Sequence, residues 1–476
     1  MLTERIPPPR RRAQPDRLRI ALLCPVWFLV PPLGYGGIEA VVALLAEVLS
    51  GAGHDVTVFA SGDSAPMGRL SSIYPTAPSE RIGESIVELR HMLACYERAD
   101  TFDVISDHTG PLAAALSRFV ECPVLHTVHG PLDGELGDAY EQVARVTPGL
   151  RLVSVSRSQR RPRPLLPWVA NCPNAVDPSR YSFSLRRGGY LAFVGRMGDE
   201  KGCRHAIAAA KSVGLPLKIA AKCREPAERA YFAQYVEPQL GHEVEYVGEV
   251  GHDEKVELLR NARATLFPID WEEPFGLVMI ESLACGTPVV ATRRGSVPEV
   301  LEEGRTGVIV DDLEALPAGI ADVDRIDRAE CRRAVEGALS LRSSFECADR
   351  VLDASADAVV PDRLDDTGSL EHLGCGAVDA GEREWDAGVG EAGREQQEGF
   401  RGRDIQVLGQ LEVEDDGACR GLALGGGRVD VFGDGLRVGE EKLGLGADDE
   451  RRRVRARLRV ALEVAEGAAG QPAESP

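Results

Sequence analysis

The stretch EPFGLVMIE, from Glu273 to Glu281, carries the strongest pattern in the sequence. It follows the apolar run TLF at residues 265–267, which is typical of a buried strand. Pro274 and Gly276 predict a loop, and the apolar residues after Gly276 predict a helix that contains Glu281. A strand, a loop and a helix in this order are the repeating unit of α/β proteins with a parallel sheet.

The two glutamates of this stretch point to a binding site. Glu273 lies on the predicted loop and Glu281 within the helix, so the pair can flank a ligand at the start of the helix. Free N–H groups at such a start favour a phosphate. Carboxylates that bind hydroxyls, placed around a phosphate site, suit a nucleotide sugar. The structural alternative is that the helix dipole favours glutamates there, by about 0.3–1 kcal/mol each.

The same alternation of strands and helices extends over most of the chain. Strand-like runs occupy residues 20–24, 55–60, 103–106, 123–128 and 152–155, with a helical pattern at residues 38–50. The pattern restarts at residues 190–195 and continues with a helix at 204–213 and strands at 217–221, 244–247, 264–267, 289–291 and 308–310. We predict two doubly wound, Rossmann-like domains, at residues 18–180 and 181–345, that face each other across a cleft.

The two ends of the chain have a different character. Residues 1–17 contain three consecutive prolines and three consecutive arginines, and we expect a disordered basic arm. Residues 346–476 are rich in glycine and acidic residues without a sustained period, so a mostly disordered tail is predicted. No run approaches the roughly 20 apolar residues of a membrane span. A cytoplasmic protein is expected, with at most peripheral contact at the inner membrane face.

The composition indicates which kinds of ligand and partner to expect. A formal net charge of −20 argues against nucleic acid as a partner. The eleven cysteines include no pair with CxxC spacing, and we assign no metal site. Only six of the 55 basic residues are lysines, and five of these six lie between Lys201 and Lys255. The scarcity of lysine draws attention to Lys201.

Three further features follow predicted strands. Gly36 and Gly37 lie in a glycine-rich loop after the first strand, where backbone N–H groups can meet an anion. Arg196 and Lys201 lie on the corresponding loop of the second domain, where two cations can hold a diphosphate. His129 lies just past a strand end. Each feature also has a structural interpretation. The glycines would then form a tight turn, the two cations would be solvated surface residues, and His129 would be a structural histidine.

In this order the motifs resemble those of the GT-B glycosyltransferases of family 4, a large retaining family. The resemblance covers roughly residues 18–341. It rests on these matching segments: Gly36-Gly37, His129, Gly195-Arg196, Glu200-Lys201-Gly202, Glu273 to Glu281, Cys285-Gly286-Thr287-Pro288, Gly295-Ser296-Val297-Pro298-Glu299 and Gly307.

The resemblance implies a metal-independent hexosyltransferase without a cofactor, in which a nucleotide-diphosphate sugar is the donor substrate. The acceptor would be a hydroxyl of a sugar, a lipid or a small molecule. Arg196 and Lys201 would hold the diphosphate, Glu281 the ribose, and Glu273 and His129 the transferred sugar. The other donor-binding positions implied are Gly36, Gly37, Glu249, Val250, Phe275, Gly276 and Leu277.

Two departures from the family keep other functions open. Pro173 and Ala175 replace the usual histidine and glycine between the domains, and the segment from Phe345 only begins to resemble the family's last helix. One alternative is a catalytically impaired protein that binds nucleotide sugars. Another is a different GT-B enzyme, such as a sugar-nucleotide epimerase or a phosphorylase.

Overall fold

The computed structural model of the protein describes residues 17–338 and three short strands between residues 422 and 437. The described residues fall into two compact units, of which the larger contains residues 17–338 and the smaller contains the three short strands. The predicted disorder of the N-terminal arm and of most of the tail concerns residues outside the described ones.

The first sheet of the larger unit has seven parallel strands. Their bounds are β1 Arg19–Leu23, β2 Asp55–Phe59, β3 Arg69–Ser71, β4 Val104–Asp107, β5 Val124–Val128, β6 Leu152–Ser154 and β7 Trp168–Asn171. The spatial order is β3-β2-β1-β4-β5-β6-β7, which is the doubly wound order with one added strand. The helices around this sheet are α1 Gly37–Gly51, α2 Ser85–Tyr96, α3 Pro111–Leu116 and α4 Glu135–Val146.

Both faces of the central strand β1 are buried. Ile20 and Leu22 pack on one face against α1, whereas Ala21 and Leu23 pack on the other against residues of α2. Alternate side chains of a strand point to opposite faces, so an uninterrupted apolar run is required when helices cover both. The sequence pattern of this strand therefore reflects its central position in the sheet.

The second sheet has six parallel strands in the equivalent order. Their bounds are β8 Leu191–Arg196, β9 Leu217–Lys222, β10 Val244–Gly248, β11 Ala264–Phe267, β12 Val289–Thr292 and β13 Gly307–Val310, and their order is β10-β9-β8-β11-β12-β13. The helices here are α5 Cys203–Ser212, α6 Pro226–Tyr231, α7 His252–Arg260, α8 Leu277–Ala284, α9 Val297–Val300, α10 Leu316–Asp322 and α11 Arg328–Ala338. Two doubly wound domains in succession confirm the predicted fold class.

The sequence analysis missed two strands of the first sheet. Strand β3 is largely exposed, and strand β7 is only partly buried. Both lie at edges of the sheet, where one side of the strand has no neighbour. Edge strands need no long apolar run, so the periodicity that identifies central strands is absent from them.

The smaller unit contains a three-stranded antiparallel sheet that the sequence analysis did not predict. Its strands are β14 Leu422–Leu424, β15 Gly427–Phe432 and β16 Gly435–Arg437. Their order is β14-β15-β16.

Strand order determines where a ligand can bind. In each parallel sheet the order reverses beside the first strand, between β1 and β4 and between β8 and β11. Ligands of doubly wound domains bind at such a switch point, outside the carboxyl ends of the strands. The chain passes from the first sheet to the second through residues 172–190, which include a single 3₁₀ turn at Pro178–Arg180.

Gly202 holds the loops at the second switch point together. Its φ angle is +72°, and a Cβ atom at this position would lie 1.8 Å from the carbonyl oxygen of Pro268. Nearby, the Asp270 N–H donates a hydrogen bond to the Glu200 carbonyl at 3.1 Å. The loop after β8 therefore packs directly on the loop after β11, and the close approach requires glycine.

We predict that Gly202→Ala destabilises the protein more than Gly214→Ala does. Gly214 has a φ of +66° but open space around its Cβ position, so it isolates the backbone cost of roughly 1–2 kcal/mol. Gly202→Ala should add at least about 1 kcal/mol, because the backbone at Pro268 must move. Urea denaturation of both variants measures the difference. Equal losses of free energy of unfolding would show that the two loops are not tightly packed.

Candidate active site

A cavity of about 250 Å³ lies at the carboxyl ends of strands from both parallel sheets. The loop after β1 and the start of α1 form the wall from the first domain. The last residues of β8 and β9 and residues that follow β8, β10 and β11 form the wall from the second domain. All twelve predicted site residues line this cavity: Gly36, Gly37, His129, Arg196, Lys201, Glu249, Val250, Glu273, Phe275, Gly276, Leu277 and Glu281.

The start of helix α8 has the geometry that the sequence predicts. Gly276 is the residue before the helix and adopts a left-handed conformation, with φ +77°. A Cβ there would lie 2.8 Å from the Met279 methyl carbon and 2.9 Å from the Phe267 ring. The glycine lets the chain turn tightly from the loop into the helix, so Glu273 and Glu281 both reach the cavity.

Lys201 and Glu273 form a largely buried ion pair. The Lys201 Nζ lies 2.5 Å from Glu273 Oε2, and the two side chains are 16% and 10% exposed. Trp271 supports both groups, because its indole N–H donates to Glu273 Oε2 at 3.1 Å and its ring centre lies 4.4 Å from the ammonium. The pair keeps two opposite charges at one point of the cavity wall.

Arg196 is the last residue of β8 and remains accessible to a ligand. Its guanidinium lies 2.8 Å from Glu200 Oε1, and its side chain is 39% exposed. An exposed guanidinium with one carboxylate partner keeps further N–H donors for an anion. Arg196 and Lys201 thus place two cations at the carboxyl end of β8, one on its last residue and one on the loop that follows.

Glu281 is held by two residues that the sequence analysis did not identify. Lys255 Nζ lies 2.5 Å from Glu281 Oε1, and the Tyr181 hydroxyl donates to the same oxygen at 3.1 Å. The Glu281 side chain is 11% exposed. The two donors orient this carboxylate in the cavity, and its second oxygen has no hydrogen-bond partner among the described residues.

Glu249 connects the two domains. One of its carboxylate oxygens accepts a hydrogen bond from the Tyr35 N–H at 2.9 Å, across a sequence separation of 214 residues. The Arg224 guanidinium donates to both oxygens, at 2.7 and 2.9 Å. The side chain is thus occupied by protein groups of both domains.

Lys222 is a further cavity residue that the sequence analysis missed. It ends strand β9 in register with Arg196, and its side chain is 4% exposed. The ammonium pairs with Glu225 and lies 2.8 Å from Glu228 Oε1. The scarcity of lysine was a usable signal, because three of the six lysines, Lys201, Lys222 and Lys255, line the cavity.

His129 belongs to a chain of histidines at the end of the first sheet. Its Nε2 lies 3.0 Å from His108 Nδ1, and His108 Nε2 lies 3.0 Å from the Ser106 hydroxyl. Burial lowers the pKa of His108 to about 4, and burial together with the neighbouring histidines lowers the pKa of His129. Both imidazoles are therefore neutral near pH 7, and each can offer one donor and one acceptor.

His126 does not reach the cavity. It is fully buried, with Nδ1 2.6 Å from Asp107 Oδ2 and Nε2 2.7 Å from the Tyr140 hydroxyl. A buried histidine whose two ring nitrogens both have hydrogen-bond partners has a structural role in the core. Of the two histidines, His129, past the strand end, is the one that lines the cavity.

Two doubly wound domains with a cavity at their carboxyl ends define the GT-B class of fold. Consecutive parts of the chain match two families: Glycosyltransferase Family 4 over residues 35–181 and Glycosyl transferases group 1 over residues 185–336. The chain therefore belongs to the GT-B glycosyltransferases of group 1 and family 4, and it is an enzyme that transfers sugars.

Two curated relatives are similar over most of their length. A glycogen synthase of Mycobacterium tuberculosis is 26% identical over 374 residues, which cover 66% of this chain and 89% of the relative. A phosphatidyl-myo-inositol mannosyltransferase of Mycolicibacterium smegmatis is 27% identical over 361 residues, with 67% and 89% covered.

Solved structures share the fold. AviGT4, a glycosyltransferase involved in avilamycin A biosynthesis, is 25% identical, with a TM-score of 0.52 over 72% of this chain and 98% of that one. The sucrose-phosphate synthase of Thermosynechococcus elongatus is 20% identical, with a TM-score of 0.60 over 71% and 100%. Within residues 17–338, no helix has the length and apolarity needed to cross a bilayer.

We predict that the stabilising effect of His108 is lost in acid. Its folded pKa of about 4 lies below the unfolded value of about 6.5, so the unfolded chain takes up the proton first. Stability from the neutral imidazole is complete above pH 6.5 and decreases as the pH falls toward 4. The difference in free energy of unfolding between wild type and His108→Gln should shrink by roughly 2 kcal/mol from pH 7 to pH 5.

Chemical denaturation at the two pH values measures this difference. The exposed His242, changed to Gln in parallel, is the control and should show no comparable trend. A pH-independent difference for His108→Gln would contradict the prediction, because it would mean that the pKa of His108 is the same in the folded and the unfolded protein.

Proposed function

We propose that the protein is a retaining, metal-independent hexosyltransferase that moves a sugar from a nucleotide-diphosphate sugar to an acceptor hydroxyl. The relative named as a mannosyltransferase, which is 27% identical, supports a hexose as the transferred group. The main support for the proposal is that two cations and two carboxylates lie around the start of helix α8 in the cavity. They are Arg196, Lys201, Glu273 and Glu281.

Arg196 and Lys201 supply the positive charge that stabilises the leaving diphosphate. When the bond between the anomeric carbon and the diphosphate oxygen breaks, negative charge develops on the diphosphate. Arg196 and Lys201, at the carboxyl end of β8, stabilise this charge through preorganised N–H donors. They take the part that a divalent cation plays elsewhere, and this supports metal independence.

The two carboxylates bind hydroxyl groups of the donor. Glu281 accepts from the ribose through the oxygen that Lys255 and Tyr181 leave free. Glu273 accepts from the transferred sugar once the diphosphate competes for its partner Lys201. His129, neutral at pH 7, contacts the sugar from the first domain.

Retention follows from attack on the face that the diphosphate leaves. The acceptor oxygen forms its bond to the anomeric carbon, and its proton passes to the departing phosphate oxygen. The departing phosphate oxygen takes the electron pair of the cleaved bond and the proton of the acceptor, so no protein base is needed. The first domain supplies the acceptor side of the cavity, and its ligand is a hydroxyl of a sugar, a lipid or a small molecule.

We expect thermal unfolding to identify the donor. UDP, ADP and GDP, and the sugars UDP-glucose, ADP-glucose and GDP-mannose, are added separately to the purified full-length chain. A ligand present at 100 times its Kd should stabilise the folded state by about 2.7 kcal/mol. One base should stand out, and its sugar should then be hydrolysed or transferred. A donor that binds without either reaction would contradict transfer and favour the impaired or epimerase alternative.

We predict that Arg196→Ala and Lys201→Ala each lower turnover of that donor by roughly 100- to 1,000-fold, as for other preorganised charge-stabilising donors. Lys218→Ala is the matched control, because Lys218 pairs with Glu245 outside the cavity. Circular dichroism verifies that each variant is folded. Near-normal turnover in either cavity variant would refute the assignment of the diphosphate site.

A further inference from the structure

Tyr35 reaches from the glycine-rich loop of the first domain into the cavity of the second. Its N–H donates to Glu249, its ring centre lies 5.3 Å from the Lys222 ammonium, and its ring packs edge-on against Phe28 with the ring centres 6.2 Å apart. These three contacts hold the main chain and the ring from different sides. These contacts therefore fix the orientation of the Tyr35 side chain.

The loop around Tyr35 packs directly against the Glu249 side chain of the second domain. A Cβ atom at Gly34 would lie 2.5 Å from Glu249 Oε1, so the backbone runs directly against this carboxylate. Arg224 holds the same carboxylate from the other side. A rigid support of this kind suits a residue that must present one group accurately to a ligand.

The phenolic hydroxyl is the part of Tyr35 that remains available. It has no hydrogen-bond partner among residues 17–338, although the residue lines the cavity. Burial raises the pKa of Tyr35 to about 12, against a smaller opposing effect of Arg196, and Glu273 adds to the increase. The hydroxyl thus keeps its proton near neutral pH and lies within the electrostatic influence of the two residues that flank the diphosphate site.

We propose that the Tyr35 hydroxyl donates a hydrogen bond to the donor diphosphate, opposite the cations of the second domain. This inference rests on the proposed function and adds a specific donor from the first domain to it. Phosphate oxygens only accept hydrogen bonds, and a neutral phenol only needs to donate one. Because Glu249 and Lys222 hold Tyr35, binding of the diphosphate also strengthens the contact between the domains.

Tyr35→Phe tests the hydroxyl while it keeps the ring and its contacts. Isothermal titration with UDP, ADP and GDP, and with uridine, adenosine and guanosine, separates the diphosphate from the rest of the nucleotide. We expect Tyr35→Phe to weaken binding of the diphosphate that wild type prefers by about 10- to 100-fold, the usual effect of a hydrogen bond to a charged group. Binding of the matching nucleoside should not change, and kcat/KM for the donor should fall by a similar factor.

Tyr190→Phe is the matched control, because the Tyr190 hydroxyl donates to the Leu258 carbonyl at 2.8 Å outside the cavity. It should bind every ligand as wild type does. Equal diphosphate binding by wild type and Tyr35→Phe would overturn the role of Tyr35 alone. An equal loss for nucleoside and diphosphate would also overturn it, since the effect would then be structural. Wild type that binds no nucleoside diphosphate would overturn the proposed function, and this inference with it.

Discussion

The ion pair between Lys201 and Glu273 is the interaction on which the site depends. A charge removed from water is costly unless an opposite charge and hydrogen bonds compensate it. Lys201 follows β8 and Glu273 follows β11, so their pairing joins the two loops of the switch point. The close contact of Gly202 with Pro268 brings these loops near enough for the pair to form. Backbone packing and charge pairing therefore join the same two loops.

The cavity repeats this arrangement, because Lys222 and Lys255 also pair with glutamates. Each pair keeps a cation and a carboxylate in fixed positions without leaving either uncompensated. A ligand that carries both phosphate and hydroxyl groups offers a partner to each member of such a pair. Only small movements of the side chains are then needed, which is the advantage of a preorganised polar site.

The domains contact each other through carboxylates of the second and backbone N–H groups of the first. Glu249 accepts from Tyr35, and Glu299 accepts from Arg157 and Ser158 at 2.8 and 2.6 Å. Each charged acceptor thus satisfies amides that are otherwise left at the ends of loops and helical turns. The two contacts fix the glycine-rich loop and the turn after β6 relative to the second domain.

The sequence by itself predicted the two doubly wound domains and twelve of the residues that line the cavity, of which Glu249, Val250, Phe275 and Leu277 rest on the family resemblance alone. Apolar periodicity marks central strands, and residues that follow parallel strands must meet at one edge of a sheet. Only the tertiary structure decided which groups compensate the buried charges: Tyr181 and Lys255 at Glu281, and Tyr35 at Glu249. Local periodicity contains no information about partners 26 to 214 residues away. The edge strands β3 and β7 were not predicted, for a related reason. Their pairing depends on the neighbouring strand and not on burial of their own side chains.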